Sequence, residues 1–189
     1  MRTFEEFEKE VLKCKKCGLC KDRINVVPGE GSPKADIMFI GEGPGRDEDK
    51  QGRPFVGAAG KFLNELLEVI NLERKDVYIA NVVKCRPPKN RDPLPEEAEA
   101  CWSYLVEQIN IIQPKLIVTL GRHSMNRFLP DLKISQVHGQ PKRYIGIWQK
   151  KQVYLPMYHP AVALYDPRKR DVIIEDFKKI PLILKKLAK

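Results

Sequence analysis

The sequence has no apolar run that approaches the roughly 18 residues needed to span a lipid bilayer. Its first residues, MRTFEEF, are acidic and amphipathic and lack the character of a secretory signal. It also has no internal repeat, low-complexity tract or linker-like stretch. These absences predict a cytoplasmic protein without a targeting signal or membrane partner, and they favour a single domain over residues 1–189.

The cysteine pattern argues against a disulfide framework, because the chain has 5 cysteines, an odd number. Cys14, Cys17 and Cys20 are separated by two residues each, a gap that lets two thiolates converge on one metal. Cys85 and Cys101 follow far downstream. Four thiolates suit either tetrahedral zinc or a [4Fe–4S] cluster, and spacing alone does not choose between them. A downstream Cys-x-x-Cys pair, which a zinc ribbon would prefer, is absent, and this favours iron–sulfur.

Positive charge, in contrast, is abundant. The formal net charge is +9 and the isoelectric point is about 9.3. This favours a polyanionic partner, nucleic acid first, because cationic side chains neutralise phosphates and release counterions. A soluble enzyme that happens to be basic is the alternative. Four basic residues in the proline-rich segment 84–93 are candidates to face phosphates.

Apolar runs alternate with amphipathic segments along the chain. Strands are predicted at 35–40, 76–83, 115–121 and 153–157, with a further one at 144–148 that pairs with the last. Helices are predicted at 3–13, 94–113, 122–128 and from 171 onward, where Pro181 breaks or kinks the helix, and another ends near residue 71. Trp102 and Trp148 are expected in the core. The pattern indicates an α/β domain with a largely parallel sheet.

Segment 41–57, GEGPGRDEDKQGRPFVG, joins a predicted buried strand to an amphipathic helix. In open α/β sheets, ligands bind at the carboxyl ends of strands, where this segment lies. The segment does not carry a phosphate-loop or dinucleotide-binding motif. Asn81 interrupts the apolar run of the next strand near its carboxyl end. We therefore expect a ligand site that combines this loop with Asn81.

Four motifs together resemble the iron–sulfur (family 4) uracil-DNA glycosylases: GEGPG at 41–45, GRPFVG at 52–57, NVVKCRPP at 81–88 and HPA at 159–161. The likeness runs from Cys14 to about Pro167. It implies a central four-stranded parallel sheet between helices and a [4Fe–4S] cluster. It further implies base excision repair of DNA damage: uracil is flipped out of single- or double-stranded DNA and its N-glycosidic bond is hydrolysed, leaving an abasic site. A nucleoid-associated monomer is expected.

The resemblance also implies the site residues. It places the cluster ligands at Cys14, Cys17, Cys85 and Cys101, in subregions 14–17 and 85–101, and leaves Cys20 out. The residues implied to contact the uracil are Glu42, Gly43, Glu48, Phe55, Asn81 and His159. Among these, Phe55 stacks on the base, Asn81 reads its edge, and Glu48 fills the space beside C5. Glu42 and His159 are the implied catalytic pair, with His159 serving the leaving base.

One departure from the family pattern concerns the DNA-contacting loop. The family often has Leu-Leu-Arg after His-Pro-Ala-x, whereas this chain has Ala163-Leu164-Tyr165. The residue that wedges into the duplex is therefore one of Leu164, Tyr165 and Arg168. Further contacts to DNA are expected from Arg86, Lys89 and Arg91.

The chemistry of these side chains suits uracil excision. The Asn81 amide can donate to uracil O4 and accept from N3–H, a pattern that cytosine does not match. Thymine differs only by a methyl group, so a steric block such as Glu48 is needed. Neutral His159 and backbone N–H groups near Gly43 can stabilise charge at O2. Related families use an aspartate where this chain has Gly43, so Glu42 is our candidate to orient water.

Two alternatives stay open from the sequence. The first is a non-catalytic nucleic-acid-binding module with a structural zinc, which explains the charge and the cysteines but not the carboxylates of the ligand loop. The second is a glycosylase for another deaminated base. His123 and His138 receive no role.

Overall fold

The computed structural model describes residues 2–145 and 151–187. Trp148 and most of the strand predicted at 144–148 lie outside the described residues. The described strands are β1 (Glu30–Gly31), β2 (Ile37–Gly41), β3 (Tyr78–Asn81), β4 (Leu116–Leu120), β5 (Lys142–Ile145) and β6 (Lys151–Met157). They form one sheet in the order β1-β3-β2-β4-β6-β5.

The centre of the sheet is the predicted four-stranded parallel arrangement. β2 lies between β3 and β4, β4 pairs with β6, and all three pairings are parallel. The expected total of four strands is corrected to six in the described residues, because β1 and β5 add to the two edges in antiparallel pairings. β1 is only two residues long and β5 is largely exposed and polar, so neither carries the buried apolar pattern that predicts a strand.

Helices cover both faces of the sheet. They are α1 (Phe4–Leu12), α2 (Arg46–Gln51), α3 (Ala58–Val69), α4 (Pro95–Ile112), α5 (Arg122–Phe128), α6 (Ile134–Val137), α7 (Val162–Tyr165), α8 (Arg168–Phe177) and α9 (Ile180–Leu187). α1 begins at a capping box in which Thr3 accepts from the Glu6 N–H and Glu6 accepts from the Thr3 N–H. The break expected near Pro181 separates α8 from α9.

Alternate residues of the parallel strands supply two separate cores. Met38 and Ile40 pack with residues of α1 and α4 on one face, whereas Ile37 and Phe39 pack with α3 and α8 on the other. This is the period-2 alternation of a strand whose two faces are both covered. Among residues 2–145 and 151–187, no helix combines the length and apolar character required to cross a bilayer.

The parallel arrangement brings the carboxyl ends of the central strands to one edge of the sheet. In the register of β2 and β3, Gly41 lies opposite Asn81. β6 ends at Met157, whose carbonyl accepts from the Gly121 N–H at the end of β4. The loops that follow β2, β3 and β6 therefore meet at this edge.

Candidate active site and metal centre

A cavity of about 340 Å³ opens at the carboxyl edge of the sheet. Its lining includes every residue predicted to contact a base, namely Glu42, Gly43, Glu48, Phe55, Asn81 and His159. The structure thus brings together three loops that are distant in the sequence. The volume lies at the lower end of the range typical of small-molecule sites, which suits one small planar group.

Two glycines allow the walls of this cavity to approach one another. A Cβ atom at Gly41 would lie 2.4 Å from Asn81 Oδ1 and 2.8 Å from the Phe55 ring. A Cβ atom at Gly43 would lie 2.8 Å from a methyl group of Val83. Glycine at 41 is therefore required for the amide and the aromatic ring to meet over the end of β2.

The Phe55 ring is held in place by an unusual backbone conformation. Phe55 has a φ of 52°, in the left-handed region that costs a residue with a side chain about 1–2 kcal/mol. The Arg74 guanidinium donates to the carbonyls of Pro54 (2.6 Å) and Phe55 (3.2 Å) and is itself paired with Glu30 at 2.9 Å. These bonds stabilise the strained turn and keep the ring, which is 5% exposed, against the cavity.

Asn81 has an unsatisfied acceptor. Its side chain is 2% exposed, and its Oδ1 has no hydrogen-bond partner in the part of the chain that the structure describes. A buried acceptor without a partner costs about 1–3 kcal/mol. Because Asn81 lines the cavity, this oxygen is placed to accept a hydrogen bond from a ligand.

His159 is arranged as a neutral donor. Its Nδ1 accepts from the Ala161 N–H at 3.1 Å, so the ring proton is on Nε2. Burial lowers the pKa of His159 to about 4, with the nearby Glu48 carboxylate opposing that shift. At neutral pH the ring is therefore uncharged. Its centroid lies 5.5 Å from that of Phe55, with the two rings 28° from parallel.

Glu48 does more than the predicted filling of space. Its carboxylate accepts from three backbone N–H groups, those of Gly45 (3.1 Å), Val56 (2.9 Å) and Gly57 (3.0 Å). These bonds tie the start of the ligand loop to its end. The side chain lines the cavity in an orientation from which it cannot readily swing away.

Glu42 lies beside two residues that the sequence did not connect with it. Burial, the largest effect, and the Asp92 carboxylate raise the pKa of Glu42. His123 and Arg122 oppose that rise. His123 Nε2 lies 3.9 Å from Glu42 Oε2 and 3.0 Å from Asp92 Oδ2. Asp92 also lines the cavity. Nothing in the spacing of the sequence links Asp92 to Glu42, because their approach depends on the path of the loop after β3.

The residues predicted to contact DNA divide into two groups. Arg91 and Arg168 are already paired with carboxylates, those of Glu97 at 2.7 Å and Asp166 at 2.9 Å. The remaining four are Arg86, which bonds Asn90, the exposed Lys89, and the two apolar residues of α7, Leu164 and Tyr165. Tyr165 is 87% exposed, which suits a wedge better than a core residue.

A second, smaller cavity is lined by all five cysteines together with Lys16, Arg23 and Lys84. Three N–H groups point at its sulfur atoms: Arg23 Nη1 lies 3.1 Å from Cys85 Sγ, the Lys84 N–H 3.3 Å from Cys101 Sγ, and the Lys16 N–H 3.5 Å from Cys14 Sγ. All five cysteines are free thiols. Convergent sulfurs surrounded by N–H donors and cations are the donor set of an iron–sulfur centre, so the residues fit that group.

The burial of these thiols favours their protonated form. Burial raises the pKa of Cys85 to about 11, a shift that the Arg23 guanidinium opposes, and burial likewise raises the pKa of Cys17 and Cys101. Such thiols become thiolates when a metal replaces the proton. Cys20 lines the same cavity, although the resemblance leaves it out of the ligand set.

Comparison with known proteins gives consistent matches. Residues 28–182 match the family model described as the uracil DNA glycosylase superfamily. The chain is 53% identical over 187 residues to the type-4 uracil-DNA glycosylase of Sulfurisphaera tokodaii, covering 95% of this chain and 84% of that protein. It is 50% identical over 185 residues to the type-4 uracil-DNA glycosylase of Archaeoglobus fulgidus, covering 95% of this chain and 92% of that protein. It is 46% identical over 194 residues to that of Thermotoga maritima, covering 98% of this chain and 99% of that protein.

Proposed function

This chain belongs to the uracil-DNA glycosylase superfamily, and on that premise we propose that it flips uracil out of DNA and hydrolyses the N-glycosidic bond, leaving an abasic site. The family assigned from the four sequence motifs is confirmed by these matches. The observation that carries the proposal is Asn81 Oδ1, which has no partner among the described residues and lies in a cavity sized for one base and lined by Phe55 and neutral His159.

Asn81 selects the base through its hydrogen-bond pattern. Its unsatisfied oxygen accepts from uracil N3–H, and the amide nitrogen donates to O4. Cytosine offers a bare N3 and an amino group at these positions, so both contacts would be mismatched. Because the Asn81 amide is buried, a mismatch leaves polar groups without partners, and such a penalty discriminates more strongly than a lost contact with solvent.

Glu48 excludes thymine. A methyl group at C5 is worth too little binding energy for attraction alone to discriminate, so a rigid obstacle is needed. The three backbone N–H bonds supply that rigidity, because moving the carboxylate would break all of them.

His159 stabilises the departing base. Breaking the glycosidic bond leaves negative charge on the uracil, concentrated at O2, and the Nε2–H of His159 donates to it. A single such donor contributes about 2.7–4 kcal/mol in analogous sites. The Ala161 N–H sets the tautomer, so the proton stays at Nε2 throughout the reaction.

Glu42 orients the attacking water or stabilises the cationic sugar. The carboxylate is partly buried at the cavity, where fixed charges act more strongly than in water. The Arg122 guanidinium, which lies 3.4 Å from Asp92 Oδ2 and lowers the pKa of Glu42, limits the repulsion between the two carboxylates. Asp92 therefore joins the wall of the cavity as a residue that sequence reasoning missed.

Cys14, Cys17, Cys85 and Cys101 would hold the [4Fe–4S] cluster. When bound, the cluster supplies structural cross-links among the segment after α1, the loop after β3, and α4. The chemistry at the base is left to the cavity residues. Leu164 or Tyr165 is proposed to fill the space that the flipped base vacates, and Arg86 and Lys89 are proposed to bind the backbone. We propose a monomer in the cytoplasm, associated with the nucleoid.

Matched oligonucleotides test the proposal. Duplexes and single strands carrying uracil, hypoxanthine or cytosine at one position are incubated with the protein, and abasic sites are revealed by alkali. We expect strand cleavage at uracil, and its reduction by at least tenfold in Asn81→Ala. Asn110→Ala, the same change on the exposed side of α4, is the control and should retain the full rate. A lack of cleavage at uracil would refute the proposal, and cleavage at hypoxanthine alone would favour the second alternative.

A further inference from the structure

Of the lysines that the structure describes, Lys84 alone is buried, with 1% of its surface exposed. A charged side chain in such a position is very costly unless other groups compensate for the lost water. Its ammonium donates to the carbonyl of Asn81 at 2.8 Å and to Gln108 Oε1 at 2.5 Å. Both acceptors are neutral, and no carboxylate pairs with it in the described parts of the chain. These two hydrogen bonds therefore do not supply the negative charge that would balance the Lys84 ammonium.

The cysteine cavity supplies a source of opposite charge. Lys84 lines this cavity, its own N–H donates to Cys101 Sγ at 3.3 Å, and Cys85 follows it in the chain. Cysteine thiolates that bind a metal centre carry net negative charge. Lys84 therefore contacts both sites: its backbone N–H bonds a sulfur atom of the cysteine cavity, and its ammonium bonds the last residue of β3.

The contact with Asn81 matters because of where Asn81 lies. It is the last residue of β3, and the next two N–H groups, those of Val82 and Val83, bond the carbonyls of Gly41 and Glu42. The Lys84 ammonium supplies the donor for the Asn81 carbonyl at this turn. The direction of the carbonyl and the direction of the side-chain amide are linked through the same backbone atoms.

We infer that Lys84 is a positioning residue that couples the cysteine centre to the base-reading amide. Held by negative charge at the sulfurs, its ammonium anchors the Asn81 carbonyl and so orients the Asn81 side chain in the cavity. The inference rests on the proposed function, in which Asn81 reads uracil. It gives the metal centre a role in substrate selection without any part in the reaction itself.

The same buried network offers a control. Gln108 also donates to the Pro28 carbonyl (2.8 Å) and to the Tyr78 hydroxyl (3.0 Å), and these bonds lead away from both cavities. Tyr78→Phe therefore removes a buried hydrogen bond from the network without touching Lys84 or Asn81. Lys84→Met removes the charge and both hydrogen bonds while keeping an unbranched apolar side chain.

The test is a double-mutant cycle in single turnover on uracil-containing duplex. We expect Lys84→Met to slow excision at least tenfold in the wild-type background but less than twofold in the Asn81→Ala background, because the residue acts through Asn81. The variant should also lose its visible absorbance under chelator at least fivefold faster than the wild type. Tyr78→Phe should lower the melting temperature and change neither quantity. Equal slowing in both backgrounds, or a wild-type rate in Lys84→Met, would overturn the inference.

A measurement on the unmodified protein covers the case in which Lys84→Met does not fold. Removing the metal from the wild type should raise amide hydrogen exchange over residues 78–84 at least fivefold more than over β4. Equal changes in the two segments would contradict the coupling. Unchanged excision in Asn81→Ala would refute the proposed function rather than the role of Lys84. The hydrogen-exchange measurement tests the role of Lys84 independently of excision.

Discussion

Replacement of His159 by alanine tests both the identity of the leaving-group donor and its charge state. The change removes the Nε2–H that we assign to uracil O2, and leaves the Ala161 N–H without its acceptor. Loss of one donor of this kind costs about 2.7–4 kcal/mol, which slows the chemical step by about 10²–10³-fold. The rate is measured in single turnover with saturating enzyme, so that product release does not mask the chemical step.

The pH dependence separates a neutral donor from a cationic one. Burial lowers the pKa of His159 from 6.5 to about 4, so the ring is neutral across pH 5 to 8. We expect His159 to impose no fall in rate as the pH rises through 6.5. A wild-type rate that declines through pH 6–7, in a manner that His159→Ala abolishes, would show that the imidazolium is the active form and would refute this reasoning.

Stability provides a second readout with a definite sign. The folded pKa lies below the unfolded value, so the unfolded chain takes up a proton first as the pH falls. The wild type therefore loses stability between pH 6.5 and about 4, by at most about 3 kcal/mol for a shift of this size. His159→Ala should lack that component, so its urea midpoint should fall less steeply than that of the wild type over this interval. His159→Gln, which retains an N–H donor, should recover part of the excision rate.

Three further predictions concern the loop, its wall and the metal centre. Arg74→Met should slow excision about tenfold by freeing the strained Phe55 turn. Arg53→Met, which loses only its two hydrogen bonds to the same Glu30, should not slow excision. Equal single-turnover rates in the two variants would contradict this. Glu48→Ala leaves three N–H groups without an acceptor and opens the space beside C5, so it should lower stability by about 2–4 kcal/mol in urea and allow measurable thymine excision. Purified protein should be brown and contain iron; colourless protein with stoichiometric zinc would exclude the cluster.

The central strands could be predicted because their signal is local. Each of β2, β3 and β4 is a run of buried, mostly apolar residues, as a strand covered on both faces requires. β5 was expected only from its pairing with β6, and β1 was missed, because short edge strands depend on their neighbours rather than on their own residues. α2 was also missed: its acidic sequence has no apolar stripe, and it ends at Gly52 in the left-handed conformation.

The site could be predicted as far as strand order determines it. Asn81 ends one parallel strand, and Phe55 and His159 lie in the segments after two others, so the rule that ligands bind at strand carboxyl ends places them together. Asp92 was not predicted because the loop that carries it passes through positive φ angles at Lys89 and Asn90. The prolines of that loop do not specify such a path. Two of the three bonds of Glu48 were not predicted for a similar reason, since they join a residue of α2 to backbone N–H groups eight and nine positions further along the chain.

The short segment from Asn81 to Cys85 joins the base cavity to the cysteine cavity, and this gives the proposed metal centre a structural role in base discrimination. It begins with the amide that we propose to read the base and ends with a cysteine of the second cavity. A turn of five residues at the end of a strand has few backbone hydrogen bonds of its own and would be mobile if left to itself. Here its first carbonyl is held by Lys84, its middle N–H groups by the carbonyls of Gly41 and Glu42, and its last side chain by the sulfur site. We therefore propose that the rigidity needed for base discrimination is supplied by bonds outside the cavity, so that the cavity wall can consist of groups that contact uracil.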